Sequence, residues 1–120
     1  MKKTSITINV TLDENHVPDQ LSWSAPDGGI DQQETHAMFL STWDKETQES
    51  ARIDLWTKRM PVDQMRVFVH QTLVGIRSSY MKATQDVEMG EAFKQFCDYF
   101  SSEHNPVSYT HLTLPTTPYV

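Results

Sequence analysis

The chain is short of almost everything that would announce a chemistry. It has one cysteine, Cys97, so no intramolecular disulfide can form, and a lone thiol fits a reducing, cytoplasmic compartment. It has no apolar run near the roughly 18 residues a spanning helix requires, so direct membrane insertion is not expected. Positive charge is scarce: ten Lys and Arg stand against sixteen Asp and Glu, a net charge of −6. That balance argues against sequence-independent nucleic-acid binding and against docking on an anionic leaflet, both of which need a basic surface. The start, MKKTSITINV, alternates apolar and polar residues where a secretory leader would build a continuous apolar stretch, so no leader is expected.

Chemical motifs are equally sparse. The five histidines, at 16, 36, 70, 104 and 111, show no ligand spacing, and His36 and His70 read as packed or half-exposed side chains. Asp27-Gly28-Gly29 lacks the Lys and Ser/Thr of a phosphate-binding loop and reads as a turn. Cys97 falls among aromatics, where a thiol acts as a small hydrophobe with no basic neighbour to activate it. The expectation is therefore a non-enzymatic protein without cofactor or metal.

What is present is periodicity. Ile6, Ile8, Val10 and Leu12 alternate with Thr7, Asn9 and Thr11, the signature of a strand with one wet face. Leu21, Trp23 and Ala25 alternate in the same way after the turn formers of DENHVPDQ, which together predict an antiparallel hairpin. Asp31 and Glu34 have capping-box spacing, and His36, Phe39, Leu40 and Trp43 follow at helical intervals, predicting a helix after Asp31. Ala51, Ile53 and Leu55 alternate through ARIDLWTK as a third strand. Pro61 and Asp63 suit the first turn of a long helix carrying Met65, Phe68, Val69, Thr72, Leu73, Ile76 and Tyr80 on one stripe. Asp86 reads as the N-cap of a last helix lined by Met89, Phe93, Phe96, Cys97 and Phe100. The expected fold is α+β: a small three-stranded antiparallel sheet in β-β-α-β-α-α order, packed against C-terminal helices in a single domain over residues 1–105.

One stretch suggests a surface with work to do. With Ile53 and Leu55 facing the core, Arg52, Asp54, Trp56 and Lys58 share the opposite face of RIDLWTKRMP. A Trp flanked by Arg and Lys on a solvent-facing strand has the composition of an interaction hot spot. Trp23 and Trp43 read as core. The alternative to a protein-contact surface is a small-ligand binder, or an enzyme, with a pocket between sheet and helices.

Four blocks carry a family resemblance: ITINVTLDENHVPDQLSWSAPDGG, RIDLWTKRMPVDQM, FVHQTLVGI and FCDYF, with ATQD between the last two. In this order they resemble the GldC family of gliding-motility-associated proteins of Bacteroidota, over about residues 4 to 104. The resemblance implies a small soluble cytoplasmic protein associated with the gliding machinery and its linked secretion system. No catalytic residue set comes with the resemblance, and the reading that joins it to the Arg52–Lys58 surface is a non-enzymatic accessory or adaptor that contacts a protein partner of that machinery or associates with itself. The final stretch, PVSYTHLTLPTTPYV, holds three of the six prolines and none of the 26 charged residues. It resembles read-through into sequencing-adaptor DNA, so residues 106–120 are expected to be a non-native, poorly packed tail.

Overall fold

The computed structural model describes residues 1–104, and the tail expected from residue 106 lies outside them. The chain forms two compact units, one spanning Met1–Pro61 and the other beginning at Val62.

The first unit holds five strands: β1 (Thr7–Leu12), β2 (Pro18–Ala25), β3 (Ile30–Thr35), β4 (Ala37–Asp44) and β5 (Glu49–Trp56). β1, β2 and β3 form a three-stranded antiparallel sheet in chain order, and β4 and β5 form a separate antiparallel pair. The expected α+β class holds, and so does the hairpin of the first two strands. Its loop is organised by Asp13, whose Oδ1 accepts the N–H groups of Asn15 at 2.8 Å and Val17 at 3.0 Å. Between β2 and β3 a 3-10 turn, Pro26–Gly28, ends at Gly29 with φ of 74°, a left-handed conformation that glycine adopts without steric cost. Partners in the register share a face, so Ile8, Val10, Leu21, Trp23, Ala25, Ile30 and Thr35 lie on one side of this sheet. Leu21 and Ala25, both fully buried, mark the core of the unit.

The predicted helix after Asp31 is instead β3 and β4, so the expected β-β-α-β-α-α order does not hold, and ARIDLWTK pairs with β4 in the second sheet. The reason is that Phe39, Leu40 and Trp43 satisfy two periods at once. They fit a helical stripe, but Phe39-Ser41-Trp43 and Met38-Leu40-Thr42 also alternate across a strand. An unbroken register from Ala37↔Trp56 to Asp44↔Glu49 resolves the ambiguity in favour of the strand. The polar DKETQES that would have ended a helix is the hairpin turn. Asp44 Oδ1 accepts the N–H groups of Glu46 at 2.8 Å and Thr47 at 2.9 Å, and Gln48 takes a positive φ of 57°.

The second unit is a helical hairpin of α1 (Val62–Thr84), which Pro61 immediately precedes, and α2 (Val87–His104). Asp86 caps α2 as its sequence context predicts, accepting the Met89 N–H at 3.1 Å, and its other oxygen accepts Tyr80 Oη–H at 3.0 Å. The helices run antiparallel and close together. Arg77 Nε donates to the Gly90 carbonyl at 2.7 Å, and the space where a Gly90 β-carbon would stand is filled by the Met81 thioether. Farther along, His70 stacks on Phe100 with ring centroids 6.1 Å apart. His70 and Cys97 are buried, whereas Met89 and Phe96 of the predicted apolar stripe are 51% exposed each. The buried line of α2 runs instead from Gly90 past the half-buried Phe93 to Cys97, seven residues in two helical turns.

Candidate protein-interaction surface

The β4–β5 pair differs from an ordinary sheet in having no buried residue along either strand. Its register puts Phe39, Ser41 and Trp43 of β4 on the same face as Ser50, Arg52, Asp54 and Trp56 of β5. The opposite face carries Met38, Leu40, Ile53 and Leu55. Large apolar groups stand in solvent on both faces: Trp43 at 67% and Trp56 at 54% on the first, Ile53 at 56% and Leu40 at 39% on the second. Ile53 thus does not face a core, and Trp43 is not core either. Ala37, Met38, Phe39 and Leu55 are only half-buried, so neither face of the pair encloses a side chain completely.

Arg52 organises the first face. Its Nη2 lies 2.9 Å and its Nε 3.2 Å from Asp54 Oδ1, so both donors of the guanidinium edge converge on one carboxylate oxygen. The same guanidinium lies 5.8 Å from the centroid of the Phe39 ring, within cation–π range. The guanidinium is thus held by Asp54 and Phe39, on the face that also carries Trp43 and Trp56.

Three of the four predicted surface residues, Arg52, Asp54 and Trp56, share this face. Lys58 does not join them, because the strand ends at Trp56. Thr57 is buried at 1% exposure, and its N–H donates to the His36 carbonyl at 2.8 Å. Beyond it the chain turns, and Lys58 Nζ reaches Asp13 Oδ2 at 3.2 Å and Asp19 Oδ1 at 3.8 Å, with Arg59 3.6 Å from the same Asp19 oxygen. The Asp13 carboxyl is held below the ordinary aspartate range, first by the Val17 N–H and then by Lys58. Lys58 therefore ties the end of β5 to the β1–β2 loop. Phe39 and Trp43, the members that sequence reasoning missed, were hidden by the helical reading of β4. The alternation Phe39-Ser41-Trp43 was the available signal.

Two other places have some chemical character. On the polar face of the three-stranded sheet, Asn9, Thr11, Gln20, Ser22, Gln32 and Glu34 line an open depression of about 200 Å³. That is below the roughly 300–1,000 Å³ of typical ligand pockets. In the helical unit, burial pushes the Cys97 thiol up and the His70 imidazole down. The Cys97 backbone carbonyl and the Asp98 charge oppose the shift of His70 without reversing it. Both groups are thereby favoured in their neutral forms. No helix among the described residues is long and apolar enough to cross a membrane.

Neither a curated protein nor a solved structure matches the chain. A family model does match, described as gliding motility-associated protein GldC-like, over residues 18–106. The matched span runs from the first residue of β2 through both helices and contains the whole β4–β5 surface. The chain belongs to the GldC-like family of gliding motility-associated proteins.

Proposed function

We propose that this protein is a non-enzymatic, cytoplasmic accessory or adaptor of the gliding machinery and its linked secretion system, working through protein contacts. The contact surface is the face of β4 and β5 that presents Trp43, Arg52, Asp54 and Trp56. The observation that carries the reading is the exposure of two indoles on one sheet face, beside an arginine already held in place by Asp54 and Phe39. Trp and Arg dominate binding hot spots because each buries a large area, and a preorganised guanidinium loses little freedom on binding. Family membership supports the cellular setting.

The test is Trp56→Ala in the full chain. Circular dichroism and thermal unfolding should remain close to wild type, because a half-exposed side chain contributes little to the fold. Capture of a motility-machinery protein from lysate of a gliding bacterium should fall sharply, since hot-spot truncations cost about 2 kcal/mol or more, over tenfold in affinity. Unfolding of the variant, or undiminished capture, would overturn the reading.

A further inference from the structure

β5 has an open edge. β4 occupies one side of it, and among the described residues no third strand is hydrogen-bonded to the other, although β2 approaches β5, with Lys58 and Arg59 beyond the strand's end reaching Asp19. The register identifies which backbone groups line the opening. The Thr57 N–H donates to the His36 carbonyl, one step beyond the Ala37↔Trp56 pair, so His36 and Thr57 form a hydrogen-bonded pair. Such pairs alternate along an antiparallel ladder. Leu55, Ile53, Ala51 and Glu49 therefore turn their N–H and C=O groups toward β4. Ser50, Arg52, Asp54 and Trp56 turn theirs outward.

We propose that β5 pairs antiparallel with β5 of a second copy, about a two-fold axis at Ile53, making a four-stranded sheet across the dimer. The inference rests on reading this sheet as an interaction surface and names the partner as the chain itself. Charge complementarity selects both the partner and the register. With Ile53 opposite the partner's Ile53, Arg52 stands opposite the partner's Asp54, and Asp54 opposite the partner's Arg52. Both are positions whose backbone groups face the opening, so the ladder and the charges agree. Sliding the strand by one ladder repeat in either direction places Arg52 against the partner's Arg52, or Asp54 against the partner's Asp54. Like charges directly opposite are destabilising. An intermediate slip presents the wrong backbone groups and turns each side chain to the wrong face.

The remaining pairs fit the same register. The exposed Ile53 side chains meet at a non-hydrogen-bonded position, where cross-strand neighbours lie closest. Leu55 falls opposite Ala51 and Trp56 opposite Ser50. The net charge of −6 drives copies apart, but at this seam the charges cancel. On β4 the corresponding positions, Phe39, Ser41 and Trp43, carry no charge that could select a register.

Charge reversal on the full chain, read by sedimentation over a range of concentrations, tests the proposal. Wild type should dimerise. Arg52→Asp and Asp54→Arg, each alone, should dimerise about tenfold or more weakly, because both cross-strand pairs become repulsive. Mixing the two variants should restore a dimer containing one of each, since every like pair becomes an opposite pair. In parallel, Ile53→Cys should give a disulfide-linked dimer on mild oxidation and Ser50→Cys should not, because only position 53 meets itself within disulfide reach. A monomeric wild type, dimers that survive both reversals, or a mixture that fails to recover would each overturn the proposal. Its failure is separable from that of the adaptor reading. A monomer whose partner capture still depends on Trp56 would sink the dimer and leave the adaptor standing.

Discussion

The two sheets of the first unit are built from similar strands and end in opposite conditions. In the three-stranded sheet, apolar residues collect on one face, and Leu21 and Ala25 at its centre are fully buried. In the β4–β5 pair, apolar residues stand on both faces and none is buried. Two strands alone are marginal in water, and a third strand or a covering layer is what makes a sheet stable. The difference teaches that strand sequences rich in Trp, Phe, Leu and Ile do not by themselves create a core. A core needs an element to cover them. Where the side chains stay in solvent, the same residues form a surface fit for a partner.

Substitution can break the contrast where it is strongest. Leu21→Ala should destabilise the chain by about 2–5 kcal/mol in chemical denaturation, because it empties a fully enclosed site. A loss no larger than that of a surface substitution would show that the three-stranded sheet has no real core. A smaller effect is expected at Asp13, which ties the end of β5 to the first hairpin through Lys58. Its folded carboxyl titrates below the ordinary aspartate value, so the unfolded chain binds the proton first as the solution is acidified. The stabilisation is complete above about pH 4 and is lost as pH falls through the lower, folded value. Asp13→Asn should flatten this part of a plot of Tm against pH while preserving an acceptor for the loop N–H groups. A slope unchanged by the substitution would remove Asp13 from the account. The smallest effect belongs to Trp43→Ser, expected to change stability by no more than about 0.5 kcal/mol. It should also remove a fluorescence component readily quenched by iodide. A large loss of stability would mean that Trp43 packs as core after all, and the contrast between the sheets would fail.

Much of the fold was legible in the sequence because it was locally encoded. The first hairpin, the start of α1 and the Asp86 cap each depend on residues within a few positions of one another. The stripe on α1 held only in part, since Ile76 is 50% exposed and the buried residue of the helix is His70. β3 and β4 were not legible. Asp31 and Glu34 imitate a capping box, and Phe39, Leu40 and Trp43 fit either period. Only pairing decides, of β3 with β2 and of β4 with β5, and that information lies outside any local window. The candidate surface was legible to the same degree. Period-two alternation correctly grouped Arg52, Asp54 and Trp56. It failed at Lys58 because the strand stops one residue before the buried Thr57.

The bond between Lys58 and Asp13 carries a further consequence. The strands pair as β1–β2, β2–β3 and β4–β5, each with a neighbour in sequence, so each pairing closes a short loop. The Lys58–Asp13 bond instead spans 45 residues. A topology of local closures has low contact order, and chains of that kind fold quickly because little loop entropy is lost before contacts form. Folding hairpin by hairpin is therefore the expected order, with Lys58 fastening to the β1–β2 loop last, and folding φ-values near zero at Lys58 and Asp13 would check it.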